Sequence, residues 1–161
     1  MTDPPRVGLG FDVHPAAEGR PLLLGGVRFE GEPGLAGHSD ADVVCHAVGE
    51  ALLGAAGLGD LGRHFPDDDP ATEGIGGLDL LDRCVGLAEG AGFRPASCDL
   101  TVIAERPAVS PRRDQVSANL AAVLRVESAA VSVKATRPEG LGLTGDGAAC
   151  LAVVVAVPVE P

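Results

Sequence analysis

Hydrophobic residues along the chain mark short strands separated by helices. Leu100, Val102 and Ala104 occupy every second position, which is the spacing of a half-buried strand. Longer stretches with apolar residues at helical spacing predict helices. In chain order, we expect strands at residues 7–14, 98–105, 130–136 and 149–157, two short strands around Gly25-Gly26 within 21–29, and helices at 39–58, 78–90 and 111–125.

This alternation predicts an α/β (α+β) fold, with a single domain over residues 1–161 and a mixed sheet carrying helices on one face. Ser39 opens the run Ser39-Asp40-Ala41-Asp42, which resembles a capping box and predicts that the first helix begins there. The segment 149–157 is almost wholly apolar. We therefore expect the last strand to be buried on both faces.

Composition and charge exclude several classes of protein. The chain has 23 acidic and 12 basic residues, a net charge of -11, and neither Trp nor Tyr. A nucleic-acid binder needs a basic surface and often aromatic stacking platforms, and a membrane-surface helix needs a basic face. No apolar run reaches the roughly 20 residues that span a bilayer. The sequence thus predicts neither a nucleic-acid nor a membrane partner.

The location of the protein is predicted from the first residues and the cysteines. Residues 1–20 contain no basic segment followed by an apolar one, so no secretory signal is expected. The four cysteines are widely spaced and form no CxxC pair, which is typical of buried thiols in a reducing compartment. We therefore expect a cytoplasmic protein.

Three residues form a candidate metal site. Asp12 and His14 are two apart in a strand and point to the same face, and His46 lies on the first predicted helix. Two imidazoles and one carboxylate suit zinc with one position left open for substrate. Asp42, four residues before His46, could orient that ring. The spacing alone equally allows a strand end, a turn histidine and a satisfied surface histidine.

Other polar segments could bind phosphates or cations. His38 and Ser39 lie at a predicted helix N-terminus, where free backbone N–H groups attract anions, but Ser39 could equally serve only as a cap and His38 could be solvated. Asp67, Asp68 and Asp69 could bind hydroxyl groups or a hard cation, or form a solvated loop. After a predicted strand, Thr136 and Arg137 can donate to phosphate oxygens, and Glu139 can hold Mg²⁺ or Mn²⁺. The alternative for these last residues is a polar strand-to-loop junction.

Six blocks of the chain, in order, carry a resemblance to a known family. The first is RVGLGFDVH at residues 6–14, and the second runs from HSDADV at 38–43 through His46 to LGAAGLGDLG at 53–62. FPDDDP at 65–70, AERP at 104–107, VKAT at 133–136 and GLGLTG at 140–145 complete the set. Together these blocks resemble the 2-C-methyl-D-erythritol 2,4-cyclodiphosphate synthase family, and the resemblance covers nearly the whole chain.

The resemblance implies a cyclisation in the methylerythritol phosphate route to isoprenoids. The 2-phosphate of 4-diphosphocytidyl-2-C-methyl-D-erythritol 2-phosphate attacks the β-phosphorus of the same molecule, and CMP leaves, which makes the enzyme a phosphorus-oxygen lyase. It also implies a homotrimer, with active sites between subunits and sheets facing the threefold axis. The alternative is a catalytically impaired homologue, a trimeric protein that binds zinc and nucleotide without turnover.

The resemblance also implies residue roles. Asp12, His14 and His46 would bind zinc, Glu139 would hold Mg²⁺ or Mn²⁺, and His38 and Arg137 would be catalytic. The erythritol part would be bound by Asp60, Leu61, Gly62, Phe65, Pro66, Asp67, Asp68 and Asp69. The cytidine part would be bound by Ala104, Glu105, Arg106, Pro107, Ala108, Val109 and Ser110 together with Thr136, Arg137, Pro138 and Glu139. Further substrate contacts are expected from Asp12, Val13, His14, His38, Ser39 and Leu143.

The chain departs from the family pattern at three places. Thr136-Arg137-Pro138-Glu139 replaces a run of hydroxyl residues before the glutamate. Ala108 replaces a frequent lysine. Asp146-Gly147-Ala148 replaces an Arg-Gly-Glu-Gly run that lines a pocket at the threefold axis, so isoprenoid diphosphate binding is not expected here.

Overall fold

A computed structural model describes residues 3–160 and has the predicted strands and helices. The predicted domain, residues 1–161, includes positions 1, 2 and 161, which lie outside the described residues. The elements are β1 (Arg6–His14), β2 (Ala16–Ala17), β3 (Leu22–Leu24), β4 (Val27–Phe29), β5 (Gly34–Leu35), α1 (Val43–Ala56), α2 (Leu61–His64), α3 (Gly77–Gly90), β6 (Phe93–Ala104), α4 (Arg113–Leu124), β7 (Val131–Thr136) and β8 (Ala148–Pro158).

Four of these strands form one mixed sheet in the order β1-β8-β6-β7. β8 is antiparallel to both β1 and β6, whereas β6 and β7 run parallel. β3 and β4 form the predicted hairpin around Gly25-Gly26, and β2 pairs with β5. The predicted single-domain α/β fold with a mixed sheet is therefore confirmed.

Helix α1 lies directly on β1 because two glycines leave room for it. A Cβ atom at Gly8 would lie 1.8 Å from the Ala51 carbonyl oxygen, and one at Gly10 would lie 1.9 Å from that of Ala47. Any larger residue at these positions would force the helix away from the strand. The main core therefore lies between the sheet and its helices.

Within one chain, only one face of the last strand is buried. In β8, buried residues alternate with partly exposed ones, and Leu151 is 40% exposed. Its neighbours on β1, Val7, Leu9, Phe11 and Val13, are also exposed, and Leu9 is 65% exposed. The apolar run reflects one face packed under α1 and a second apolar face that nothing within the described chain covers.

The start of α1 differs from the prediction. The N-cap is Asp42, not Ser39, and its carboxylate accepts hydrogen bonds from the N–H groups of Val44 and Cys45. The same buried carboxylate accepts from Gly25 at 2.9 Å and Gly26 at 2.7 Å. A carboxylate that satisfies four donors at once is the stronger cap, because it joins the helix to the β3–β4 hairpin.

Other boundaries shift by a few residues. α1 ends at Ala56, two residues before the predicted end, and Gly57 caps it in the left-handed conformation. The segment between the first two predicted helices contains α2 and a 3-10 turn at Pro70–Thr72. All four cysteines are free and buried, and burial raises the pKa of Cys84 and Cys98 to about 12. Among residues 3–160, no helix has the length and apolarity needed to cross a membrane.

Candidate metal and phosphate site

The three predicted metal ligands lie together at the end of β1. Alternation along the strand places Asp12 and His14 on the same face as Gly8 and Gly10, beneath α1. Because α1 sits so close, His46 reaches Asp12: Asp12 Oδ2 is 3.0 Å from His46 Nδ1 and 3.0 Å from His14 Nε2. One ligand atom from each residue lies within 4.8 Å of the others.

The electrostatics of the three residues favour a bound cation. Burial raises the pKa of the Asp12 carboxyl, but hydrogen bonds with His14 and His46 outweigh burial and hold the pKa well below its usual range. Asp12 therefore remains anionic at neutral pH. The hydrogen bond with Asp12 raises the pKa of His14, against the effect of partial burial. An anionic oxygen and two imidazole nitrogens, all half-buried, are a donor set that fits zinc.

Ser39, and not Asp42, orients the His46 ring. His46 Nε2 lies 2.9 Å from Ser39 Oγ, which also accepts a hydrogen bond from the N–H of Ala41 at 3.1 Å. The prediction that Asp42 supports His46 is wrong, because its carboxylate is occupied by four backbone donors. His46 Nδ1 lies 3.0 Å from the Asp12 carboxylate, so without a metal this nitrogen donates to Asp12. With a metal on Nδ1, the ring proton would be on Nε2, where Ser39 Oγ would accept it.

A cavity of about 300 Å³ lies beside the metal ligands. Its lining includes the predicted residues Asp12, His14, His38, Ser39, His46, Leu61, Gly62, Phe65 and Asp67. Thr72, Ile75 and Leu80 also line it and were missed, since none belongs to a polar motif. The acidic cluster therefore contributes Asp67 to the lining.

Several neighbours of this cavity have structural contacts instead. Asp60 caps α2 by accepting from Arg63 N at 2.9 Å, and Asp69 caps the following 3-10 turn by accepting from Ala71 N at 2.9 Å. Pro66 and Asp68 are outside the lining of this cavity. Val13 is 44% exposed on the uncovered face of the sheet, away from Asp12 and His14.

The expected anion site at the N-terminus of α1 is not formed. His38 and Ser39 precede the first helical residue, Val43, by five and four residues, and the N–H groups of Val44 and Cys45 in the first turn donate to Asp42. His38 is nevertheless exposed in the cavity, and none of the hydrogen bonds among residues 3–160 involves its ring. The imidazole is therefore free to contact a ligand directly, without help from the helix.

A second, smaller cavity of about 140 Å³ lies at the ends of β6 and β7. Most of the residues expected to hold cytidine line it: Ala104, Pro107, Ala108, Val109, Ser110, Thr136 and Arg137. Glu105 and Arg106 point elsewhere, since Glu105 accepts from Gly140 N at 2.7 Å and Arg106 pairs with Glu32 at 3.0 Å. Pro138 is buried, whereas Glu139 and Leu143 are exposed.

The two cavities lie at the same end of the sheet, where neighbouring strands terminate, but they are separate within one chain. His14 on β1 and Ala104 on β6 both pair with Ala148 of β8, so the ends of these strands are neighbours. No residue lines both cavities, and Glu139 is not part of the described metal-ligand cluster. One chain thus has one cavity beside three candidate metal ligands and a separate cavity lined by one arginine.

Comparisons with known proteins show which family this chain resembles over nearly its whole length. The family model that matches residues 5–158 is described as the YgbB family. A 2-C-methyl-D-erythritol 2,4-cyclodiphosphate synthase from Symbiobacterium thermophilum is 52% identical over 151 residues, which are 92% of this chain and 96% of the relative. A bifunctional enzyme IspD/IspF from an Anaeromyxobacter strain is 52% identical over 96% of this chain. The chain spans 40% of the length of that relative.

A solved structure has the same fold. It is a 2C-methyl-D-erythritol-2,4-cyclodiphosphate synthase in a form bound to CDP, and it superposes with a TM-score of 0.87. Its sequence is 34% identical, and the match covers 94% of this chain and 99% of the other.

Proposed function

The chain belongs to the YgbB family of 2-C-methyl-D-erythritol 2,4-cyclodiphosphate synthases, which are enzymes of isoprenoid synthesis, and from this premise we propose its reaction. We propose that residues 1–161 form one synthase domain that converts 4-diphosphocytidyl-2-C-methyl-D-erythritol 2-phosphate into the 2,4-cyclodiphosphate and CMP. The observation that carries the proposal is the convergence of Asp12, His14 and His46 beside a cavity containing His38.

The reaction is an intramolecular phosphoryl transfer. An oxygen of the 2-phosphate attacks the β-phosphorus, a new P–O–P bond forms, and the bond between the β-phosphorus and the CMP oxygen breaks. CMP leaves with the electron pair, and no water is consumed. Such a reaction depends on holding the substrate folded and on neutralising its charge, more than on a strong base.

Zinc would be held by Asp12, His14 and His46, and the divalent ion of the diphosphate, Mg²⁺ or Mn²⁺, by Glu139. Bound there, such cations would orient phosphate oxygens and offset their negative charge. Side chains of the protein supply the remaining contacts with the substrate. The imidazole of His38 donates a hydrogen bond to a phosphate oxygen on which negative charge develops in the reaction. Leu61, Gly62, Phe65 and Asp67, which line the same cavity, enclose the erythritol part.

The cytidine part would enter the smaller cavity, as the CDP-bound relative suggests. Its lining supplies mostly small side chains and backbone groups, which suits a chain without Trp or Tyr. Arg137 would donate to a phosphate oxygen at the mouth. Because the two cavities are separate within one chain, we propose that one subunit provides the metal cavity and its neighbour the cytidine cavity.

A homotrimer in the cytoplasm completes the proposal. The uncovered apolar face of β1 and β8 would face the threefold axis, as the family resemblance implies. The four free cysteines are consistent with a reducing compartment.

The test is release of CMP from the purified substrate by zinc-loaded protein in the presence of Mg²⁺. We expect stoichiometric CMP and cyclodiphosphate, and loss of both products after zinc is removed by a chelator. His46→Ala should fold with the wild-type circular dichroism spectrum but bind no zinc and form no CMP. A correctly assembled, zinc-loaded trimer that releases no CMP would contradict the enzymatic proposal and support a binding protein without turnover.

A further inference from the structure

Arg20, which lies between β2 and β3, bridges the two residues that flank His38. Its guanidinium donates to the carbonyl of Gly37 at 2.7 Å and to the carbonyl of Ser39. The carbonyl of His38 itself accepts a hydrogen bond from Gly74 N at 3.3 Å. Three consecutive carbonyls are therefore held from outside the segment, although residues 37–39 belong to no helix or strand.

The segment held in this way carries two groups of the proposed site. The His38 ring lies in the metal cavity, and Ser39 Oγ is bonded to His46 Nε2 at 2.9 Å. Rotation of the backbone at 37–39 would move both groups together. An arginine fork suits this bridge, because its planar N–H donors reach two acceptors at once, which a lysine ammonium does less well.

The backbone that supports Arg20 is also fixed. Gly34 of β5 packs against it so closely that a Cβ atom at Gly34 would lie 2.6 Å from the Arg20 carbonyl oxygen and 2.7 Å from that of Pro21. The close packing of Gly34 of the β2–β5 pair fixes the Arg20 backbone. Arg20 in turn holds the loop at residues 37–39, which belongs to no helix or strand.

We infer that Arg20 is a positioning residue, which holds His38 in place for phosphoryl transfer without touching the substrate. The inference rests on the proposed function. Losing the bridge should lower kcat about 10–100-fold, because a displacement of about 1 Å in a reacting site has effects of this size. KM should change little, and at saturating zinc the variant should still hold the metal, since the three metal ligands stand on β1 and α1.

The experiment compares Arg20→Ala and Arg20→Lys with Arg28→Ala. Arg28 lines the same surface cavity of about 670 Å³ as Arg20, but its guanidinium pairs with Glu30 at 2.9 Å. For each zinc-loaded variant, kcat and KM for CMP release and the zinc content are measured. We expect the loss of kcat in Arg20→Ala alone, a smaller loss in Arg20→Lys, and partial recovery of Arg20→Ala by added guanidinium ion.

A second measurement does not depend on activity. Nuclear magnetic resonance of protein labelled with ¹⁵N-histidine reports the ring nitrogens of the four histidines. We expect the His38 and His46 signals to shift or broaden in Arg20→Ala and to remain unchanged in Arg28→Ala. This comparison still tests Arg20 if the wild-type protein releases no CMP. An unchanged His38 signal in Arg20→Ala, or an unchanged kcat when the wild-type enzyme is active, would each overturn the inference.

Discussion

At the scale of single residues, one hydroxyl orients a ligand of the proposed metal site. Ser39 Oγ accepts from Ala41 N and lies 2.9 Å from His46 Nε2, so it fixes the angle of the ring whose Nδ1 faces Asp12. Ligating histidines are commonly supported in this way, and the supporting group raises metal affinity.

Ser39→Ala should therefore lower zinc affinity about 10–100-fold while leaving the fold intact. Competition with a chromogenic chelator measures the affinity. Ser132→Ala, which removes an exposed hydroxyl from β7, serves as the control and should bind zinc like the wild type. Equal affinities of the two variants would mean that Ser39 does not support the ligand.

Arg137 is the residue at which the chain departs most from its family near the proposed chemistry. It is exposed, lines the smaller cavity, and makes no hydrogen bond or ion pair among residues 3–160. Because a threonine hydroxyl also donates, Arg137→Thr should keep or raise kcat for CMP release. A fall of kcat beyond about tenfold, which is near 1.4 kcal/mol, would show that the guanidinium has a role of its own.

At the scale of elements, the contact between α1 and β1 brings the three proposed metal ligands together. Because Gly10 has no side chain, the Ala47 carbonyl of α1 packs directly against β1. The preceding residue of the helix, His46, therefore reaches Asp12. Strand geometry alone does not bring these residues together, since they are 34 positions apart in sequence.

Gly10→Ala should push α1 away from β1, because the new Cβ would lie 1.9 Å from the Ala47 carbonyl oxygen. We expect lower stability against denaturant, by about 1–3 kcal/mol, and weaker zinc binding. Gly86→Ala in α3 is the matched control, since a Cβ atom there meets nothing within 4 Å. That change should leave zinc binding unaltered and stabilise the helix by about 0.5–1 kcal/mol. Similar behaviour of the two variants would contradict the close approach.

The elements also show what the sequence can and cannot predict. Alternation and turn residues predicted β1, the β3–β4 hairpin and the order of strands and helices, because these signals are local. The start of α1 was misplaced because Ser39 and Asp42 are both good caps. The choice between them depends on Gly25 and Gly26, which donate to Asp42 from another part of the chain.

The same limit applies to the candidate site. Asp12 and His14 could be predicted as a pair, because their spacing places them on one face of a strand. Ser39 as the partner of His46, and Arg20 as the partner of residues 37 and 39, could not, since these contacts depend on how a loop folds back. Local pattern contains no information on such contacts.

At the scale of the whole molecule, the face of the sheet opposite α1 exposes apolar side chains to solvent in a single chain. Leu9 pairs with Val153 and Phe11 with Leu151, so apolar side chains of β1 and β8 lie side by side. The neighbouring strands continue the face with polar groups, among them Asp99 and Lys134, which form an ion pair at 2.7 Å. An apolar strip with a polar border is typical of an interface between subunits.

Leu9→Glu should break up the proposed trimer, because it would bury a carboxylate without a partner between subunits. We expect a species of the 16.1 kDa chain mass in light scattering, instead of one three times larger. Zinc should still bind, since its three ligands belong to one chain, but CMP release should be lost, since the cytidine cavity comes from a neighbour. The control is Leu87→Glu on α3, where the leucine is 37% exposed on the helical side. An active Leu9→Glu monomer would show that one chain holds a complete site.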